Sequence, residues 1–418
     1  MIQTQPVLEN IIAAVDIGTT KICTIIAEVM DKEINVIGVG WQENTGVVKG
    51  AIANINETTI AIKKSIEKAE EMAKVKVHSV IASISGKHIS GIKGHGETTL
   101  SHTKLKEITE DDKNNAIRAA TSFFMPADKE ILHIIPTQYI VDSQDEIEDP
   151  VGMTGMKLEV DAYIITGSIT SIDNVRKVIE HAGYNVVDII VQGVASASAV
   201  LFNDEKDIGV LVLDIGGGTT DMVVYYKNAI RFAKVIPVGG QLITNDLVSA
   251  LQTSKSVAED LKKRYGIFTG EADEKDETIT FPDMGSSKTI EIQLSKISPY
   301  IKLRVQELIK FVKAELEKDG IDRSLYSGGV VLTGGTSLLK GIDKIIKEEM
   351  DLRVRIGVPL KEKIIGLYDI VSSPEYATAV GLIDYYVNFQ IKSQKTKISK
   401  GIFEEIWDFI KKFFVDNI

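Results

Sequence analysis

Two segments of the chain carry the same arrangement of chemical groups: AVDIGTTK at Ala14–Lys21 and VLDIGGGTTD at Val212–Asp221. In each, a short apolar stretch runs through an aspartate into a cluster of glycines and hydroxyls, then into a second apolar stretch, CTIIAEV or MVVYY. That pattern reads as two β-hairpins. Gly18 in the first tip and Gly216, Gly217 and Gly218 in the second let the backbone approach a ligand, so that successive N–H groups converge on an anion. Thr19, Thr20, Thr219 and Thr220 add hydroxyl donors, and Lys21 supplies a point charge. Asp16 and Asp214 would repel a bare phosphate but suit Mg²⁺, held directly or through its waters, because that ion keeps much of its hydration shell and prefers one or two carboxylates plus phosphate oxygens. Two such tips facing each other would grip a nucleotide's phosphate tail from opposite sides, with the metal between them. Glycine-rich hairpins are common in proteins; the pair in one chain is what points to a phosphate clamp.

A third segment fits beside them. GGVVLTGGTSLL, Gly328–Leu339, reads as a strand ending in Gly334, Gly335 and Thr336 and followed by a helix. Its glycines would let the backbone pass flat against an adenine or ribose.

These groups need elements to hold them. Strand patterns cover Ile12–Asp16, Ile22–Val29 and Ile34–Trp41, and apolar residues at helical spacing follow from Glu57 to Lys74. After the second hairpin the order recurs as Val210–Asp214, Met222–Tyr226 and Ala229–Val238, then a helix over LITNDLVSAL. A duplicated α/β fold with two lobes, each carrying one hairpin, is the expectation. Between the lobes, from VHSVIASISGKHIS to about Ala162, glycine-punctuated strands and the acidic helical stretch EITEDDKNNAIRAATSFF suggest a separate insert. A second insert spans Asn245 to Ile309, where EADEKDETITFPDMGSSKT reads as a charged loop interrupting helices.

Composition narrows the function classes. The 418 residues suffice for two or more domains with real cores. A net charge of −11, from 59 acidic and 48 basic residues, argues against broad nucleic-acid binding. The single cysteine, Cys23, excludes an internal disulfide framework and a thiolate metal cage, which suits a reducing compartment. The N-terminal stretch lacks the basic leader of a secretory signal. The most apolar window, Val186–Phe202, contains Asp188 and Gln192 and reads as strand, turn and helix instead of a membrane span.

Taken in order, the motifs resemble those of the actin and heat-shock-chaperone ATPase superfamily. Within it the chain is similar to the FtsA family of bacterial cell-division proteins. The marks are SISGKHIS, IPTQYIVD, PVGMTG, VLDIGGGTTD, KVIPVGG, VVLTGGTSLL, VRIGVP and YATAVGL. The resemblance implies an actin-like duplicated ribonuclease-H-like fold with two lobes around a cleft that takes ATP and Mg²⁺. It implies subdomain 1A at 1–85 with 165–195 and 365–390, and an FtsA-type inserted subdomain, 1C, at 86–164. Subdomain 2A would take 196–244 with 310–364, and 2B would take 245–309. It implies that Glu259 and Lys262, in AEDLKKRYG, hold the ribose and adenine, although a Glu and a Lys at this spacing could equally be a solvated pair. Gln192 falls where some actin relatives position the attacking water; as an amide it orients water but is a poor base, so slow hydrolysis is expected. It could also be an ordinary turn residue.

In LRVQELIKFVKAEL, Arg304 and Glu307 match the family's docking positions for the C-terminal tail of FtsZ, although they could equally be a solvated i to i+3 surface pair. Residues 391–400 read as a polar, lysine-rich flexible linker. The end of the chain, 401–418, reads as an amphipathic helix: Ile402, Phe403, Ile406, Trp407, Phe409, Ile410, Phe413 and Phe414 share one broad face, and charged residues take the other. Such a helix suits the headgroup plane of a membrane, in agreement with the family; a terminal helix docked on the protein's own core is the alternative. The implied protein self-associates into filaments on the cytoplasmic face of the inner membrane at the division site, alongside other division proteins. A pilus-assembly scaffold and a sugar or acetate kinase of the same superfamily are the alternatives; no carboxylate base beside an acceptor pocket can be assigned for the second.

Overall fold

The computed structural model describes residues 10–122, 126–267, 276–282 and 289–395, with side chains described up to residue 388. Contacts divide the chain into two units: Met1–Ser90 with Gly167–Asp384, and Gly91–Thr166 with the chain from Tyr385.

The larger unit is built on two sheets that repeat one plan. In the first, strands run in the order Asn185–Val191, Ser79–Ile84, Ile11–Ile17, Lys21–Met30, Glu33–Glu43 and Ile364–Gly366. In the second, the order is Ala229–Ile236, Thr220–Tyr226, Val210–Ile215, Val330–Thr333 and Val354–Ile356. Each holds an antiparallel hairpin of the expected sequence. Asp16 pairs with Cys23 and Ile17 with Ile22 in one; Asp214 pairs with Asp221 and Ile215 with Thr220 in the other. The tips close alike, Gly18 N donating to Lys21 O at 3.0 Å and Gly216 N to Thr219 O at 2.9 Å. Val210–Ile215 is buried along its whole length, so up to Asp214 its sequence is a continuous apolar run, Val210–Leu213, instead of an alternating one.

Helix Ile55–Ala73 lies across the first sheet. Asn54 caps it by accepting from Glu57 N, and Lys74 ends it in the left-handed conformation. It comes so close to strand Glu33–Glu43 that a Cβ on Gly40 would meet Ser65 O at 2.1 Å. In the same contact Ser65 Oγ donates to Gly40 O at 3.0 Å. The short helix Gln192–Val200, QGVASASAV, is buried throughout, which its small residues permit. Helix Ala377–Lys395 crosses it at Gly381, where a Cβ would lie 1.8 Å from Ala195 O.

The second insert differs from expectation. Its charged stretch is not all loop: Thr278–Pro282 and Thr289–Gln293 form a hairpin with Ile279 opposite Ile292 and Phe281 opposite Ile290. Ile279 and Phe281 are buried, so two apolar anchors on one face outweigh the charged surroundings. Helices Gly240–Leu251, Lys255–Tyr265 and Leu294–Lys318 supply its helical part among the described residues.

The smaller unit is a sheet in the order Gln144–Ile147, Lys129–Val141, Lys157–Ser168, Ser90–Thr99, with helix Glu110–Ala120 on one face. Thr109 and Asp112 form a capping box at that helix's start. Leu158, Val160 and Ile164 pack against Ala116 and Ala120.

Near the C-terminal end, helix Ala377–Lys395 continues into residues read as linker, so 391–395 are helical. No glycine or proline interrupts the chain between Gly381 and Lys395. The amphipathic segment 401–418 and Lys397 and Lys400 lie outside the described residues.

Candidate functional site

Both hairpin tips open onto one cavity of about 1260 Å³ within the larger unit. Its wall takes Asp16, Gly18, Thr19, Thr20 and Lys21 from the first hairpin, and Asp214, Gly216, Gly217 and Thr219 from the second. Glu259, Lys262, Gly334, Gly335, Thr336 and Gln192 also line it. Of the phosphate-tip residues expected from sequence, Gly218 and Thr220 are not in this wall. Gly218 lies against Thr19, whose Oγ1 would be 2.6 Å from an added Cβ, and the buried Thr220 hydroxyl donates to Val238 O at 2.8 Å. Gly217 abuts Thr20 in the same way, a Cβ meeting Thr20 Cγ2 at 2.6 Å. The two tips therefore touch through their glycines and threonines.

Asp16 stands at the end of its strand beside the parallel strand Ser79–Ile84. Ser83 Oγ donates to Asp16 Oδ1 at 2.9 Å, and Ile17 N donates to Ser83 Oγ at 2.8 Å. Gln192 Nε2 lies 3.0 Å from Asp16 Oδ1, 3.1 Å from Ile17 O and 3.0 Å from Ser83 Oγ. Carboxylate and carbonyl are both acceptors, so the amide nitrogen must face them. Gln192 is thus the first residue of a helix, not a turn residue, and its amide fixes Asp16. Asp214 is held from the opposite side, by Ser196 Oγ at 2.6 Å and Thr378 Oγ1 at 3.1 Å on Oδ2. Gly334, at φ +81°, passes so near that a Cβ would lie 2.3 Å from Asp214 Oδ1; only glycine combines that conformation with that approach.

Burial raises all three carboxyls, and repulsion from a neighbouring carboxylate adds to the rise at Asp16 and Asp221. Burial pushes Asp16 up to about 6, opposed by the Ser83 hydrogen bond and reinforced by the charge of Asp214. Burial likewise raises Asp214 against the hydrogen bonds of Ser196 and Thr378. Asp221, directly opposite Asp214 in the hairpin, is raised well above the usual carboxylate range by burial and by Asp214. It accepts from Ser85 Oγ at 2.8 and 3.0 Å. A buried, crowded set of carboxyls is a place where a cation is favoured.

Two lysines, Lys21 and Lys262, also line the cavity. Lys21 Nζ sits 2.9 Å from Glu375 Oε2 and 4.8 Å from the Tyr376 ring centroid. Lys262 is buried, with Nζ 2.7 Å from Glu259 Oε2, 3.0 Å from Thr244 Oγ1 and 3.2 Å from Gly240 O. Its pair with Glu259 is therefore part of the cavity wall and not a solvated surface pair. Burial lowers the Lys262 pKa. Thr336 Oγ1 donates to Gly216 O at 2.8 Å, tying the third glycine segment to the second tip.

Beyond Ser196, Thr378, Glu375 and Thr244, sequence reasoning also missed Ser83, Ser85, Asp221 and Asn44. Ser83 and Ser85 lie in SISGKHIS and Asp221 closes VLDIGGGTTD, so all three were visible as parts of motifs but carried no chemistry until the strands were paired. Asn44 had no signal beyond a turn-like surrounding; its Nδ2 donates to Gly18 O at 2.8 Å and its N to Thr20 O at 3.0 Å, bracing the first tip.

Outside this cavity, Arg304 and Glu307 do share a face of helix Leu294–Lys318, and they pair with each other. Arg304 is also clamped by Asp246 of helix Gly240–Leu251, through Nε at 2.6 Å and Nη2 at 2.9 Å. Among the described residues no helix is long and apolar enough to cross a membrane.

The family model described as "Cell division protein FtsA" matches residues 211–381, and that of the "SHS2 domain inserted in FTSA" matches 86–166. Cell division protein FtsA of Pseudomonas aeruginosa is 35% identical over 391 residues, covering 93% of this chain and 92% of the relative. Among solved structures, the PilM-PilN type IV pilus biogenesis complex has a TM-score of 0.62 at 18% identity, covering 89% of this chain and 97% of the other. MreB5 of Spiroplasma citri, bound to ADP, has a TM-score of 0.56 at 16% identity, covering 93% and 99%. These two likenesses bear on the fold, which is actin-like, with two lobes and an FtsA-type insert. Sequence identity of that extent over nearly the whole length decides the rest: the chain belongs to the FtsA family of cell-division proteins.

Proposed function

We propose that this cell-division protein binds Mg·ATP in the cavity, self-associates in that state, and tethers the C-terminal tail of FtsZ to the cytoplasmic face of the inner membrane at the division site. The observation that carries the reading is that Asp16 and Asp214, from equivalent hairpins, face one cavity flanked by Lys21 and Lys262. The donor set suits a hydrated Mg²⁺ between two carboxylates and phosphate oxygens. Gly18, Thr19, Thr20 and Lys21 would meet the phosphates from one side, and Gly216, Gly217 and Thr219 from the other. Gly334, Gly335 and Thr336 would pass the base or ribose, with Glu259 and Lys262 holding its polar edge. Gln192 orients Asp16 and, through it, the metal's water shell, which fits slow hydrolysis and a nucleotide that serves mainly to set conformation.

On this reading Arg304 and Glu307 receive the FtsZ tail, while the C-terminal helix is the membrane contact. Its eight apolar residues supply the buried face. Attraction to anionic lipid comes mainly from Lys392, Lys395, Lys397 and Lys400, at about 1 kcal/mol each near the surface. One helix of this size binds reversibly, and self-association multiplies its hold through avidity.

Sedimentation with anionic vesicles, FtsZ, ATP and Mg²⁺ tests the tether. The parent should bring FtsZ down with the vesicles, whereas deletion of 401–418, or Trp407→Glu, should leave FtsZ in the supernatant with ATP binding intact. Equal sedimentation of FtsZ with the parent and the truncated chain would remove the membrane helix from the account.

A further inference from the structure

The nucleotide reading makes no use of a polar cluster on the sheet of the smaller unit. Alternate residues of a strand share a face. In the edge strand Ser90–Thr99, Gly94 and Gly96 face helix Glu110–Ala120, where a Cβ would meet Ala120 O and Ala116 O at 2.6 and 2.2 Å. His95 and Glu97 therefore take the opposite face. Lys157, Glu159 and Asp161 do the same on the neighbouring strand, since Leu158 and Val160 between them belong to the core.

His95 Nδ1 lies 2.8 Å from Asp161 Oδ1, and Asp161 Oδ2 accepts from Gln138 Nε2 at 2.7 Å. A carboxylate on Nδ1 makes that nitrogen the hydrogen donor, which leaves the Nε2 lone pair as the neutral ring's ligand atom. Nε2 is 3.2 Å from Glu159 Oε2. His95, Glu97 and Glu159 each offer a ligand atom, and the three atoms lie within 4.8 Å of one another. A carboxylate behind the histidine and carboxylates in front of it is the arrangement that orients imidazoles toward metals. Lys157 Nζ now balances these charges, 3.1 Å from Glu97 Oε2 and 2.9 Å from Glu159 Oε1.

We infer that His95, Glu97 and Glu159 form a binding site for a divalent transition-metal ion such as zinc, with Asp161 as the residue that orients the imidazole. Imidazole with carboxylates suits zinc and its neighbours, whereas Mg²⁺ prefers an all-oxygen shell and retains its water. Three protein ligands leave a fourth position for water or for a side chain of another molecule. Lys157 is the competitor: a cation entering the site takes over the neutralisation that its ammonium provides.

Calorimetric titration of Zn²⁺ into the full chain, with excess Mg²⁺ present and nucleotide absent, tests the site. The parent should show a saturable zinc site that His95→Ala or Glu159→Gln weakens at least tenfold. Lys157→Met should tighten it severalfold, an effect that loss of structure does not produce. Lack of saturable binding in the parent, binding indifferent to His95→Ala and Glu159→Gln, or weaker binding in Lys157→Met would each overturn the inference and leave an ion-pair network only. Circular dichroism confirms that the variants are folded.

Discussion

Asp16 links the cavity to stability. Its carboxyl is pushed from an ordinary value of 3.8 up to about 6 by burial, the nearby Asp214 adding to the rise. The folded state thus holds this proton more tightly than the unfolded chain does. The contribution is fully present below about 3.8 and is lost as pH rises through about 6, so at neutral pH the ligand-free protein bears the cost of a buried charge. Asp16→Asn keeps an oxygen to accept from Ser83 and Gln192 but removes the charge. It should stabilise the ligand-free protein above pH 6 by roughly 1–3 kcal/mol, with the gain fading near pH 4. Urea unfolding at the two pH values measures this, and an equal gain at both would contradict it. Little of this interplay was legible in sequence. Asp16 and Asp214 stood out because glycines and hydroxyls follow them immediately, whereas Ser83 and Gln192 reach Asp16 across 67 and 176 residues. Those contacts exist only after parallel strands have paired.

At the level of elements, the hairpins and the helix Ile55–Ala73 were legible because their signals are local: alternating or continuous apolar runs, glycine tips, a capping asparagine. The paired strands Thr278–Pro282 and Thr289–Gln293 escaped because they are five residues each and set among charges. Helix Leu294–Lys318 was legible as a helix, but the tertiary clamp on its Arg304 was not. Arg304 is held by Asp246, from a helix 58 residues earlier, and by Glu307. On the docking proposed above, an incoming acidic tail has to share or displace a carboxylate that already neutralises the guanidinium. Arg304→Glu would gather three carboxylates at that point, Asp246, Glu307 and the new one. Binding of an FtsZ tail peptide, followed by fluorescence polarisation, should fall at least tenfold, about 1.4 kcal/mol. Asp246→Asn, which frees the guanidinium, should bind the peptide no more weakly than the parent. An undiminished affinity in Arg304→Glu would move the docking surface elsewhere.

Across the larger unit, one plan used twice explains why the cavity exists: each sheet ends in a hairpin tip, and the buried helix Gln192–Val200 carries Gln192 and Ser196 to the two aspartates. Gln192 touches Asp16 and Ser196 touches Asp214, so a single element aligns both carboxylates. The duplication was readable from the recurring order of strands and helix; the common support was not, because a run of small residues shows neither a face nor a partner until it is enclosed. The central claim is that the two carboxylates act together on one Mg·nucleotide. Titration of a fluorescent ATP analogue, with Mg²⁺ in excess, measures this directly in the parent, in Asp214→Ala, and in Arg304→Glu as a control remote from the carboxylates. Saturable binding in the parent and the control, weakened at least tenfold in Asp214→Ala, is the predicted result. Equal affinity in all three, or no saturable binding in the parent, would contradict the account.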